Sequence, residues 1–120
     1  IDIKTENVPS EWSAFDIGPK TRETFAEIIG NSKTVFLGGP MGKFEDPKFS
    51  EGSKHILEAM IEITKNHTGK TIVAGGDTID VARKYTNLEG YSYISLAGGA
   101  TLEFLAGKNL PALVPLLEND

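Results

Sequence analysis

Residues 71–82 read TIVAGGDTIDVA, and how this stretch folds decides the architecture of the chain. Thr71 to Ala74 is a short apolar run rich in β-branched residues, which suits a buried strand. Gly75 and Gly76 then turn the chain. Asp77 and Thr78 follow as N-cap candidates for a helix running to about Tyr85, because their side-chain oxygens accept hydrogen bonds from the free amides of a first helical turn. Strand, glycine turn and helix in this order aim unpaired N–H groups and the positive end of a helix dipole at one point. That point is a natural seat for a phosphate.

The same unit recurs on either side. Upstream, Thr34 to Leu37 reads as a strand running into Gly38-Gly39-Pro40-Met41-Gly42. Downstream, Ser92 to Leu96 reads as a strand running into Ala97-Gly98-Gly99 and a helix that carries Leu102 and Leu105. Between them the apolar spacing predicts helices over Lys20 to Gly30 (Phe25, Ile28, Ile29) and over Ser50 to Asn66 (Ile56, Leu57, Met60, Ile61, Thr64). Alternation of this kind predicts an α/β fold, a Rossmann-like parallel sheet with helices on both faces. In such sheets ligands bind beyond the carboxyl ends of the strands, where all three glycine turns fall. Ile1 to Glu11 reads as a connecting segment, Trp12 and Phe15 as core residues, and Leu110 to Leu117 as a short strand or packing tail.

Composition narrows the function. With 12 Lys and Arg against 17 Asp and Glu the net charge is −5, which argues against a nucleic-acid surface and against an anionic membrane. An anionic ligand therefore has to be held by backbone amides, a metal ion and a few placed cations. The absence of cysteine excludes disulfides and thiolate metal sites and fits a reducing, cytoplasmic setting. No apolar run approaches the roughly 18 residues of a membrane span. The chain starts at Ile1, so a fragment or processed product is expected.

None of the turns matches G-x-x-x-x-G-K-[ST] or G-x-G-x-x-G, which removes the Walker loop and weakens a dinucleotide reading. Asp77 has two readings: a plain N-cap, or a carboxylate beside a nucleotide, which a hard cation such as Mg²⁺ must separate from the phosphates. Glu45 is either a solvated charge or an acceptor for ribose hydroxyls. Lys43 reads as a surface lysine, and His55 and His67 as surface or packing residues.

Four motifs taken together resemble phosphoglycerate kinase, specifically its last third: DIGPKT from Asp16, GGPMGKFE from Gly38 to Glu45, AGGDT from Ala74 to Thr78, and SLAGGATLEFLAGKNLP from Ser95 to Pro111. The resemblance implies that residues 1–120 are the C-terminal part of that kinase's nucleotide-binding domain, with the N-terminal phosphoglycerate-binding domain as the missing partner. It implies ADP or ATP as nucleotide, Mg²⁺, and phosphoryl transfer between 1,3-bisphosphoglycerate and ADP in glycolysis. It places Glu45 at the ribose, and Gly75, Gly76, Asp77 and Thr78 at the nucleotide phosphates, with Asp77 on the metal. Gly98 and Gly99 fall at the helix start that faces the transferring phosphoryl group, so Gly76 and Gly99 take the catalytic positions. Ala14, Gly38, Ala74, Leu96 and Ala97 depart from the family pattern. They keep open a second reading, a non-catalytic nucleotide-binding or interaction module on the same fold.

Overall fold

The computed structural model describes residues 7–117. Of the connecting segment expected over Ile1 to Glu11, residues 1–6 lie outside the described residues. The order is α1 (Pro19–Gly30), β1 (Thr34–Leu37), α2 (Glu51–Lys65), β2 (Lys70–Ala74), α3 (Gly76–Tyr85), β3 (Tyr93–Ser95), α4 (Gly99–Leu105) and α5 (Val114–Leu117). Short 3₁₀ turns at Pro47–Phe49 and Leu88–Gly90 precede α2 and β3.

The three strands form one parallel sheet in the order β1-β2-β3. Register pairs Leu37 with Val73 and Val73 with Ile94. Side chains alternate along a strand, so Val35, Leu37, Thr71, Val73 and Ile94 share one face, while Phe36, Ile72 and Tyr93 share the other. The first face carries the core: Leu37 and Val73 join Ile56, Leu57, Met60 and Ile63 of α2, and Ile79, Val81 and Ala82 of α3. Burying a Leu, Ile or Met side chain contributes about 1.5–3 kcal/mol each, so this layer dominates stability. α1 packs along α2 and adds Ile29.

On the opposite face Ile72 and Tyr93 meet Ala100, Phe104 and Leu105 of α4 around a cavity of about 330 Å³. This side is thinly covered. Tyr93 is 61% exposed and Phe104 58% exposed, although both faces of a parallel sheet are ordinarily buried.

Four expectations from the apolar pattern change. Phe25 and Ile28 of α1 are exposed, because α1 touches the core along a narrower stripe centred on Ile29. Ile63, absent from the expected stripe, is buried on α2, whereas Ile61 is half-buried. Trp12 and Phe15 lie at the surface rather than in the core. Residues 114–117 form the short helix α5 instead of a strand, after Leu110 accepts hydrogen bonds from the Leu113 and Val114 amides.

Candidate functional site

The three glycine turns converge. Gly75 has φ 93°, a conformation favourable for glycine alone, and its N–H donates to the Ser95 carbonyl at 3.0 Å. A Cβ built on Gly75 would stand 3.7 Å from Gly98 Cα and 4.0 Å from the Gly38 carbonyl oxygen. The turns that follow β1, β2 and β3 therefore meet at the carboxyl edge of the sheet, as the alternation implied. Ala74, the departure just before this turn, keeps a negative φ, so alanine sits there without strain.

The N-cap expectation is corrected. Gly75 itself is the N-cap of α3, and no side chain caps the helix. The tight turn starts the helix at Gly76, which draws Asp77 and Thr78 into the first turn. Asp77 is exposed there, and its charge suits the positive end of α3. Thr78 is 1% exposed and packs inward, its Oγ1 turned towards Gly75.

Gly76 and Gly99 differ from Gly75 and Gly98. A Cβ at either would meet no atom within 4 Å. The protein's own packing leaves their backbones open.

Beside these turns lies a cleft of about 310 Å³ lined by Ala14, Phe15, Asp16, Ile17, Pro40, Met41, Gly42 and Lys43. The Phe15 ring stacks at a tilt on Phe49, with centroids 5.0 Å apart, and the Lys43 ammonium lies 5.8 Å from the Phe15 centroid. Both cleft walls are pinned. Asp16 Oδ2 accepts the Gly52 amide at 2.8 Å and Ser53 Oγ accepts the Met41 amide at 2.9 Å, while the Lys43 amide donates to the Phe15 carbonyl at 2.8 Å. Glu45 follows directly on this wall, exposed, and its carboxylate makes no ion pair among the described residues.

Sequence reasoning missed Asp16 and Ser53 as organisers of the cleft. Asp16 reaches a partner 36 positions away and Ser53 one 12 positions away, separations on which local patterns are silent. Phe15 was expected to be buried, and its exposure is what makes it a cleft wall.

His55 and His67 are exposed, as expected, and His67 has φ 56° in the turn that ends α2. Among the described residues no three His, Cys, Asp or Glu side chains gather as a metal site, and no helix is long and apolar enough to cross a membrane.

The comparisons agree with this geometry. The family model described as "Phosphoglycerate kinase" matches residues 2–108. The chain is 45% identical over 112 residues to the phosphoglycerate kinase of Corynebacterium efficiens, covering 92% of this chain and 28% of that protein. It is 46% identical over 110 residues to the phosphoglycerate kinase of Eremothecium gossypii, covering 91% and 26%. Its fold superposes on the structure of phosphoglycerate kinase from Coxiella burnetii with a TM-score of 0.78 at 41% identity, over 90% of this chain and 27% of that one. The chain thus spans little more than a quarter of the length of these relatives, and over that span it belongs to the phosphoglycerate kinase family.

Proposed function

We propose that this chain supplies the nucleotide side of a glycolytic phosphoglycerate kinase: it holds ADP or ATP while the phosphoglycerate substrate is presented by the N-terminal part of the enzyme. The observation that carries this reading is the open backbone at Gly76 and Gly99. Neither glycine is required by the protein's packing, yet both start helices at the edge where the three turns meet. A backbone left bare in front of helical N–H groups suits the close approach of phosphate oxygens.

In this reading the Ala14–Ile17 and Pro40–Lys43 cleft takes the base, and Glu45 accepts the ribose hydroxyls. Gly75, Gly76 and Thr78 with Asp77 take the phosphates, and Gly98 and Gly99 face the group in transfer. Phosphoryl transfer needs positioning and charge neutralisation rather than a covalent nucleophile, and the open amides at Gly76 and Gly99 supply the positioning. One exposed carboxylate, Asp77, fits a Mg²⁺ ion that keeps several waters and is otherwise bound by substrate phosphates. When bound, the ion neutralises charge on those phosphates.

The partner reading is supported by the thinly covered face of the sheet, where Tyr93, Phe104 and Leu105 are exposed. Without the phosphoglycerate site, residues 1–120 alone are inactive, and the setting is cytoplasmic. The test is turnover: the full-length protein phosphorylates 3-phosphoglycerate with MgATP, and residues 1–120 alone do not. A folded full-length protein that binds nucleotide without turnover would favour instead the non-catalytic module, which the changes at Ala14, Gly38, Ala74, Leu96 and Ala97 motivate.

A further inference from the structure

The loop that carries Glu45 has almost no regular secondary structure, so something must orient the carboxylate. Upstream of Glu45 the backbone is pinned at Met41 by Ser53 and at Lys43 by the Phe15 carbonyl. The Phe44 ring is half-buried against the core. The Phe44 carbonyl belongs to the same planar peptide as the Glu45 amide, so holding that oxygen restrains the rotation of the peptide that places the Glu45 Cα. The group that holds it comes from 40 positions away: Lys84 Nζ donates to the Phe44 carbonyl at 3.3 Å.

Lys84 is itself held in place. Its ammonium lies 5.1 Å from the centroid of the Tyr85 ring, within the range of a cation–π contact. The Tyr85 hydroxyl is shut off from solvent and makes no well-formed hydrogen bond among the described residues. Ser50, 2% exposed, sits where the Glu45 loop enters α2. Lys84 and Tyr85 thus close the end of α3 onto that loop.

We infer that Lys84 is a positioning residue for Glu45, tying the ribose-binding loop to the same helix that opens at Gly76 and Asp77. This rests on the nucleotide reading of the site. Helix α3 rises roughly 12 Å from Gly76 to Lys84 and is packed on the core through Ile79, Val81 and Ala82, so it acts as a stiff spacer. One end sets the phosphate turn and the other sets the loop that meets the sugar. Lys84 is exposed, and an exposed hydrogen bond of this length adds little to global stability, so its effect is on geometry.

The experiment compares Lys84→Met, Lys84→Arg, Glu45→Ala and Lys84→Met/Glu45→Ala in the full-length protein, titrated with MgADP and with Mg-2′,3′-dideoxy-ADP. Hydrogen exchange at the Asp46 amide is followed in parallel. Lys84→Met is expected to weaken MgADP about five- to tenfold, leave the dideoxy nucleotide unchanged, add nothing to Glu45→Ala, and speed exchange at Asp46, whose amide donates to the Lys43 carbonyl, while core amides of α2 stay protected. Lys84→Arg is expected to restore both readouts. Equal loss for the two nucleotides, or full additivity with Glu45→Ala, would overturn the inference. If Glu45→Ala does not alter MgADP binding, the ribose assignment fails on its own. Unchanged exchange at Asp46 in Lys84→Met would overturn the positioning role separately.

Discussion

Gly98 rests against Gly75: a Cβ on Gly98 would stand 3.3 Å from the Gly75 Cα and 3.8 Å from its nitrogen. Two turns more than 20 positions apart are thereby locked backbone to backbone, and the Gly75 N–H to Ser95 carbonyl bond fastens them. The carboxyl edge of the sheet is rigid where the proposed phosphates would lie.

Gly75→Ala should be costly. A side chain at φ 93° and ψ 147° adopts a region nearly reserved for glycine, at about 1–3 kcal/mol. Urea unfolding should show a lower midpoint with an unchanged slope. An unchanged midpoint would mean that the turn relaxes freely.

Gly76→Ala and Gly99→Ala should behave in the opposite way. Each added methyl meets open space at a helix start, so stability should hold or rise by up to about 1 kcal/mol. Turnover of the full-length protein should nonetheless fall at least tenfold, since the methyl stands where phosphate oxygens approach. Full activity in both variants would remove the main support for the phosphate assignment.

The Asp16 carboxylate joins the turn before α1 to the start of α2 through the Gly52 amide. It acts as a tertiary cap for α2, whose own Ser50 makes no side-chain cap bond. Asp16→Ala should destabilise the fold by about 1–2 kcal/mol. Asp16→Asn should cost less, because one carbonyl oxygen remains to accept. Equal losses would show that the charge, rather than the acceptor, matters.

Alkaline stability should report on Tyr91. Its side chain is buried, with Oη 2.7 Å from Thr86 Oγ1, and burial raises the pKa above the ordinary 10.0 although the Thr86 bond pulls it down. The folded protein therefore keeps the proton longer than the unfolded chain. This contribution is fully present below pH 10 and is lost as pH rises through the folded value. Tyr91→Phe should lower stability by about 1 kcal/mol at neutral pH and flatten its fall above pH 10. Parallel alkaline slopes for the two proteins would assign the fall to other groups.

Much of this was legible because local chemistry repeats. Each strand runs into a glycine turn and a helix follows each turn, directly after β2 and through a loop after β1, so the parallel sheet and its carboxyl edge follow from order alone. Trp12 and Phe15 misled because hydrophobicity signals a wish to be covered without naming the cover. Asp77 looked like an N-cap because the residue type fits, but Gly75, with its positive φ, is the cap, two residues earlier. Asp16, Ser53 and Lys84 stayed hidden because each acts on backbone far away in sequence. Glu45 and Asp77 were read from the family resemblance as much as from their own residue types.

The most direct test of the central claim is calorimetric titration of the full-length protein with MgADP, repeated on Asp77→Ala and Glu45→Ala. Both residues are exposed and unpaired with any cation among the described residues, so neither substitution should unfold the protein. The account predicts at least a tenfold loss of affinity in each variant, with Asp77→Ala also losing the dependence on Mg²⁺. Undiminished binding in both variants would contradict it, placing the nucleotide away from the converged glycine turns.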